Sequence, residues 1–251
     1  MQRAIPIKED MLRIVDGPGE QATTALEMLG SLEEVETVDS VTIGIPDSSL
    51  LPTFSRVLPH WGVPAHDHAG RPANQSSICR LLAAVETFLV HGNASDVSPL
   101  LRHPIIEAWL ATFPEAIDDP IEAFADYLET CVPLELSTFL PDEHRDLAIA
   151  IRPLLQQLHP MRHAVESVSG RAELLRNLLE TWLTPSFDSL AEEDLGACDL
   201  ILERLGQFAQ AHPALAGTMS AAGMLRMILS SLDTSNIRKG RDEEAVELIG
   251  W

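Results

Sequence analysis

The chain has 251 residues and a formal charge of −21, with 17 Lys and Arg against 38 Asp and Glu. At roughly 100–200 residues per domain, this length allows one large or two modest domains. The charge argues against a free-standing nucleic-acid-binding module, which needs clustered basic residues, and against a polybasic membrane-surface protein.

Met11-Leu12-Arg13-Ile14-Val15 is short, apolar and partly β-branched, and it ends at the turn signal Asp16-Gly17-Pro18-Gly19. This predicts a first strand. A helix is expected from about Glu20 to Leu32, with Ala22, Ala25, Leu26 and Leu29 on its apolar face. An acidic connector, Glu33 to Glu36, leads to Val41-Thr42-Ile43-Gly44-Ile45, where apolar residues alternate as in a strand. Strand, helix and strand together have the length of a right-handed parallel βαβ unit. A second helix is expected from Asp47-Ser48 to about Trp61, capped by Ser48 or Asp47 and closed by Gly62. Val63 to His66 reads as a short edge strand.

From Asn74 the pattern turns helical and stays so to about Leu232. Ile78, Leu81, Leu82, Val85 and Leu89 recur at helical spacing up to Gly92. Pro104 falls near the start of a following helix. Asp119-Pro120 is a cap followed by proline at the first helical position. Asp142 to His159 is expected to be helical, with a kink or break at Pro153 and an end at His159-Pro160. Three further apolar faces run from Leu174 to Leu183, Cys198 to Ala209 and Met224 to Leu232. No regular repeat period links them. Asp233 to Glu244 reads as a polar loop, and Ala245 to Trp251 as the beginning of a strand. A terminus in mid-strand is what a piece of a longer protein would show.

The predicted fold is therefore mostly α with a small α/β part. Residues 1–67 plus 245–251 form a partial parallel sheet, and residues 68–244 form an all-α insertion.

Several chemistries lack their residues. The only lysines are Lys8 and Lys239, and neither completes a P-loop or an acid-x-Lys nuclease site. Pro46-Asp47 matches the opening of a PD-(D/E)xK motif, but without that lysine Asp47 reads as a helix cap. No GxSxG elbow and no GxGxxG fingerprint is present. His66-Asp67-His68 and His159/His163 have spacings that two metal ligands could share. Zinc needs three or four placed ligands, so polar loop and helix-end readings are favoured, and no metal or cofactor is assigned. Cys79, Cys131 and Cys198 are odd in number and each sits among apolar residues, the pattern of reduced core thiols in a cytoplasmic protein. Met1-Gln2-Arg3-Ala4-Ile5-Pro6 lacks the apolar h-region of a signal peptide, and no apolar run has the length of a spanning helix. Arg71, Arg80 and Arg102-His103 stand out in an acid-rich chain. They either contact a phosphate backbone or pair with local acids on a solvated face.

VTIGIPDSSLLPTFSRVLPHWGVP, residues 41–64, resembles a segment of superfamily-1 helicases in which a strand of the second RecA-like domain leads to a helix and an edge strand. GRPANQSSICRLLAAVETFLV, residues 70–90, is similar to the entry into the helical insertion called 2B. SPLLRHPIIEAWL, residues 98–110, resembles the corresponding region of AddB-type subunits of bacterial ATP-dependent helicase–nucleases. ELIGW, residues 247–251, resembles the strand that returns from 2B. The resemblance implies a partial RecA-like (2A-like) part carrying a 2B-like insertion. It carries over no catalytic residue, because in the family ATP hydrolysis and DNA cleavage belong to segments before and after this region.

The leading expectation is a non-catalytic, cytoplasmic segment of a DNA double-strand-break repair helicase–nuclease. Its partners would be DNA, reached through the parent protein, and a helicase–nuclease partner subunit, with no membrane contact. Arg71, Arg80 and Arg102 are the candidates for any direct DNA contact. The alternatives are a self-contained helical interaction or regulatory module and, more weakly, a small-molecule enzyme built on the βαβ unit.

Overall fold

The structure is a computed structural model, and it describes residues 12–31, 40–114, 117, 119–131, 144–163, 167–210, 219–237 and 244–250. It is mostly α with a small α/β part. The chain divides into two compact units, Met1–Arg71 with Arg238–Trp251, and Pro72–Ile237.

In the first unit, α1 (Pro18–Gly30) starts with proline in its first turn, where the missing N–H costs nothing. Ala22 is buried, with Ala25, Leu26 and Leu29 packed around it. Strand β1 (Thr42–Ile45) runs into a 3₁₀ turn at Ser48–Leu50. Asp47 caps that turn by accepting the Ser49 N–H at 2.9 Å, and hydrogen bonding from Ser49, by its side chain first and its backbone N–H second, holds the carboxyl below the ordinary range. Helix α2 (Leu51–His60) buries Leu51, Phe54 and Leu58. The chain then reverses through Gly62, whose φ of 80° lies in the region glycine enters without strain. Strand β2 (Ala65–Asp67) follows.

Strand β3 (Val246–Gly250) lies between β1 and β2 and is parallel to both. Thr42 faces Glu247 and Ile45 faces Gly250 on one side, while Ala65 faces Val246 and Asp67 faces Leu248 on the other. Val246 and Leu248 are fully buried against Ile45, Phe54 and Leu58. A Cβ at Gly250 would lie 2.7 Å from Leu51 Cδ1, so a side chain there would make Leu51 shift at the start of α2.

The expected first strand is not there. Residues 12–15 form no strand, and Ile14 is 98% exposed. An apolar β-branched run becomes a strand only where a neighbour takes its backbone N–H and C=O groups, and the described sheet ends at β1 on that side. The βαβ unit is instead β1–α2–β2, with β3 filling the place between its strands. Met11, Leu32 and the connector 33–36 lie outside the described residues.

The second unit is helical: α3 (Ser77–His91), α4 (Ser98–Leu101), α5 (Pro104–Leu110), α6 (Pro120–Cys131), α7 (Arg145–His163), α8 (Val168–Leu183), α9 (Glu192–Ala209) and α10 (Ala221–Leu232). Capping sets most of the starts. Ser76, Ser167 and Ser220 each accept a backbone N–H in the following turn, and Asp119 accepts those of Ile121 and Glu122. Gly92 ends α3 with a φ of 67°. Helix α3 packs against α10, α7 and α9, and its Leu81, Leu82, Val85 and Phe88 are fully buried. Glu86 of α3 and Arg226 of α10 add a two-pronged ion pair at 2.5 and 3.0 Å. Where the chain enters and leaves this unit, Ala73 N–H donates to Ser235 C=O at 2.8 Å.

Helix α7 does not break at Pro153 or Pro160 but runs through both to His163. Each proline removes one backbone donor, a cost of about 3 kcal/mol in an isolated helix. Here Ile151, Leu154, Leu155, Leu158 and Met161 are all buried along one face, and this packing holds the segment helical. The expected loop after Asp233 contains a short extended pair, Asn236–Ile237, and Ile237 is buried. Residues 142–143 and 238–243 lie outside the described residues.

Candidate functional site

Arg102 and His103 occupy the joint between α4 and α5. Arg102 is the C-cap of α4 and is exposed. His103 is the N-cap of α5 and is buried, so the expected helix end and helix start meet at this dipeptide. His103 Nδ1 accepts the Ile105 N–H at 3.3 Å, which assigns the ring proton to Nε2. Nε2 lies 3.0 Å from Ser77 C=O and 3.1 Å from Ser77 Oγ. Burial pushes the His103 pKa down and the nearby Arg80 charge adds to this, against the opposing pull of Ser77 C=O and Asp194. The neutral imidazole is a structural pin between α3 and α5.

Ser77, His103 and Asp194 have the residue types of a hydrolase triad, but the geometry is different. Asp194 Oδ1 accepts the backbone N–H of Ser77 at 2.7 Å and that of Ile78 at 3.4 Å. Its carboxylate therefore caps α3 rather than orienting the imidazole. With Nδ1 occupied by Ile105, the His103 Nε2–H is a donor and has no lone pair to take a serine proton. The cluster is capping chemistry. Sequence reading missed it because its partners are 26 and 117 positions from Ser77, and only the Ser76 cap is a local signal.

The arginines are separated in character. Arg80, in the first turns of α3, is exposed on the helical unit together with Arg102, and Arg80 lies close enough to His103 to affect its ionisation. Arg71 is exposed in the first unit. The half-buried Asp194 faces the same His103, so the Arg80 neighbourhood carries an acid as well as a base.

His66 and His68 do not gather a ligand set. Asp67 Oδ1 accepts the Ala69 N–H at 3.0 Å, and the exposed His68 Nδ1 sits 3.4 Å from Oε1 of the half-buried Glu247. Among the described residues no group of three His, Cys, Asp or Glu side chains could hold a metal. His159 packs edge-on against Phe88 at 6.1 Å, and the His163 side chain lies outside the described residues.

The cysteines divide two to one. Cys79 and Cys198 are buried core thiols, and burial raises both, Cys198 to about 12. Cys131 is not a core residue. It ends α6 exposed to solvent, with Sγ 3.7 Å from His144 Nε2 at the entry to α7. The apolar signal around it belongs to Tyr127 and Phe124, one and two turns earlier respectively, which turn the other face of α6 inward.

One groove was not visible in the sequence. It lies between α1 and α2, has a volume of about 410 Å³, and is lined by Gly19, Thr23, Arg56, Val57, His60 and Trp61. Trp61 is 66% exposed and its ring meets the His60 ring edge-on.

No helix among the described residues is long and apolar enough to cross a membrane. No family model matches the chain, and no curated protein matches it either.

Proposed function

We propose that this chain is a non-catalytic, helicase-like segment of a DNA double-strand-break repair helicase–nuclease, serving as a scaffold for DNA processing or for subunit contacts in the cytoplasm. The observation that supports this reading most is the position of β3. A strand that follows the whole helical unit inserts between β1 and β2 and runs parallel to both. That is the arrangement expected of a RecA-like half-sheet interrupted by a 2B-like insertion. The absence of a P-loop and of an acid-x-Lys pair from the sequence supports the non-catalytic part.

The separate apolar core of the helical unit favours a second reading, a self-contained helical interaction module. Co-purification with a helicase–nuclease partner subunit, together with the gene sequence beyond Trp251, discriminates the two. A stable complex and continuation into helicase and nuclease motifs are expected. A stop codon at that position together with no complex would favour the interaction module. ATP hydrolysis, or magnesium-dependent DNA cleavage that persists through exhaustive purification, would overturn the non-catalytic assignment.

A further inference from the structure

Cys131 and His144 form a thiol–imidazole pair that joins the last residue of α6 to the entry of α7. The Sγ–Nε2 distance of 3.7 Å is within hydrogen-bonding range for sulfur. The Tyr127 ring packs edge-on against the His144 ring at 5.1 Å, and Tyr127 is itself anchored in the core beside Phe124. The imidazole is thus held beside the sulfur by a buried aromatic residue one turn earlier in α6. Cys131 is exposed, whereas Cys79 and Cys198 are buried within the helical core.

We propose that Cys131 is a thiol-modification site, with His144 as its positioned base, and that it takes low-molecular-weight disulfides. The thiolate is the attacking species in such exchange, and it needs access, a proton acceptor and a partner disulfide. His144 accepts the Cys131 thiol proton as Sγ attacks one sulfur of the disulfide. A new mixed S–S bond forms, the disulfide's own S–S bond breaks, and the departing thiolate takes the proton from His144. The incoming disulfide is the oxidant, so Cys131 is oxidised and the released thiol is its reduced half. The modification is reversed by an excess of small thiol. The buried pair cannot compete, because burial hides both sulfurs and raises both thiols.

The test uses the full chain with oxidised glutathione, followed by intact mass and peptide mapping at neutral pH. One adduct per native chain is expected, mapped to Cys131 and removed by dithiothreitol. Cys131→Ser should abolish that adduct. His144→Ala, and also His144→Gln, which keeps a polar side chain there but cannot serve as a base at this pH, should slow adduct formation by at least ~10-fold, a threshold set below the ~100-fold low end for a positioned general base. A first adduct on Cys79 or Cys198, or an unchanged rate in both His144 variants, would overturn the proposal. Mapping on the unsubstituted chain does not depend on any variant folding.

Discussion

The carboxylate of Asp194, in the first turn of α9, accepts the backbone N–H of Ser77 at 2.7 Å although 117 positions separate the two residues. Helix α3 therefore starts under two caps, the local Ser76 hydroxyl and a carboxylate from another helix. Asp194 also lies where a helix N-terminus favours negative charge.

Removing this carboxylate leaves a part-buried N–H without its charged acceptor. Asp194→Ala is expected to cost about 1–2 kcal/mol, and Asp194→Asn less, because an amide oxygen can still accept. Urea unfolding of the three proteins at one pH checks the order. Equal midpoints for Asp194→Ala and the unsubstituted chain would show that Ser76 alone carries the start of α3.

His103 gives the helical unit a pH dependence whose sign follows from its environment. Burial, with help from Arg80, lowers its folded-state pKa below the ordinary histidine value of 6.5. The unfolded chain then binds this proton more readily than the folded one. The stability that the neutral ring contributes is fully present above pH 6.5 and is lost as pH falls from there through the folded pKa. His103→Asn keeps a capping side chain but removes the titration, so its stability should change less between pH 7.5 and 5.5. Denaturant melts of both proteins at the two pH values measure this, and equal losses would remove His103 as the source.

Trp182 is fully buried, and its Nε1–H donates to Gln157 Oε1 at 2.6 Å, tying α8 to α7. Gln157→Ala leaves that indole N–H unsatisfied and is expected to cost about 1–3 kcal/mol. Trp182→Phe in the same background removes the orphaned donor along with some packing. The two substitutions together should therefore cost less than the sum of their separate costs. A double-mutant cycle by urea unfolding checks the coupling; strict additivity would mean that the bond contributes nothing.

Local signals in the chain were enough for the mostly-α class and for most helix starts. Ser76, Asp119 and Asp47 cap within two or three residues of their own positions, and Gly62 and Gly92 take up positive φ where the helical spacing ends. What local pattern could not show depends on distant partners. The run at 12–15 has the composition of a strand but no ladder to join, whereas Val246–Gly250, no more apolar, finds β1 and β2 on its two sides. Pro153 and Pro160 break helices on local grounds, yet buried leucines on α7 outweigh them. His103 and Asp194 were legible as residue types only, because their roles come from contacts across the fold. Cys131 reads as a core thiol until the face of α6 is known.

The chain is expected to bind DNA weakly or not at all at physiological salt. Its charge of −21 opposes a polyanion at every approach distance within the Debye length. Arg80 and Arg102 are exposed on the helical unit, and Arg71 is exposed on the other unit. The Arg80 neighbourhood includes Asp194, so part of its positive potential is cancelled locally. Any binding at low salt should therefore rest on few phosphate contacts. Each contributes about 0.9 to the slope of log affinity against log salt, so Arg80→Ala or Arg102→Ala should lower that slope by about one unit if the residue touches a phosphate. Fluorescence anisotropy with a short duplex and a single strand, at 50 and 150 mM salt, roughly the span over which such contacts lose most of their affinity, measures both quantities. Submicromolar binding at the higher salt would show that a continuous basic track exists on the folded surface. No binding even at the lower salt would direct attention to subunit contacts, because an acidic segment that cannot approach DNA can still hold the proteins that do.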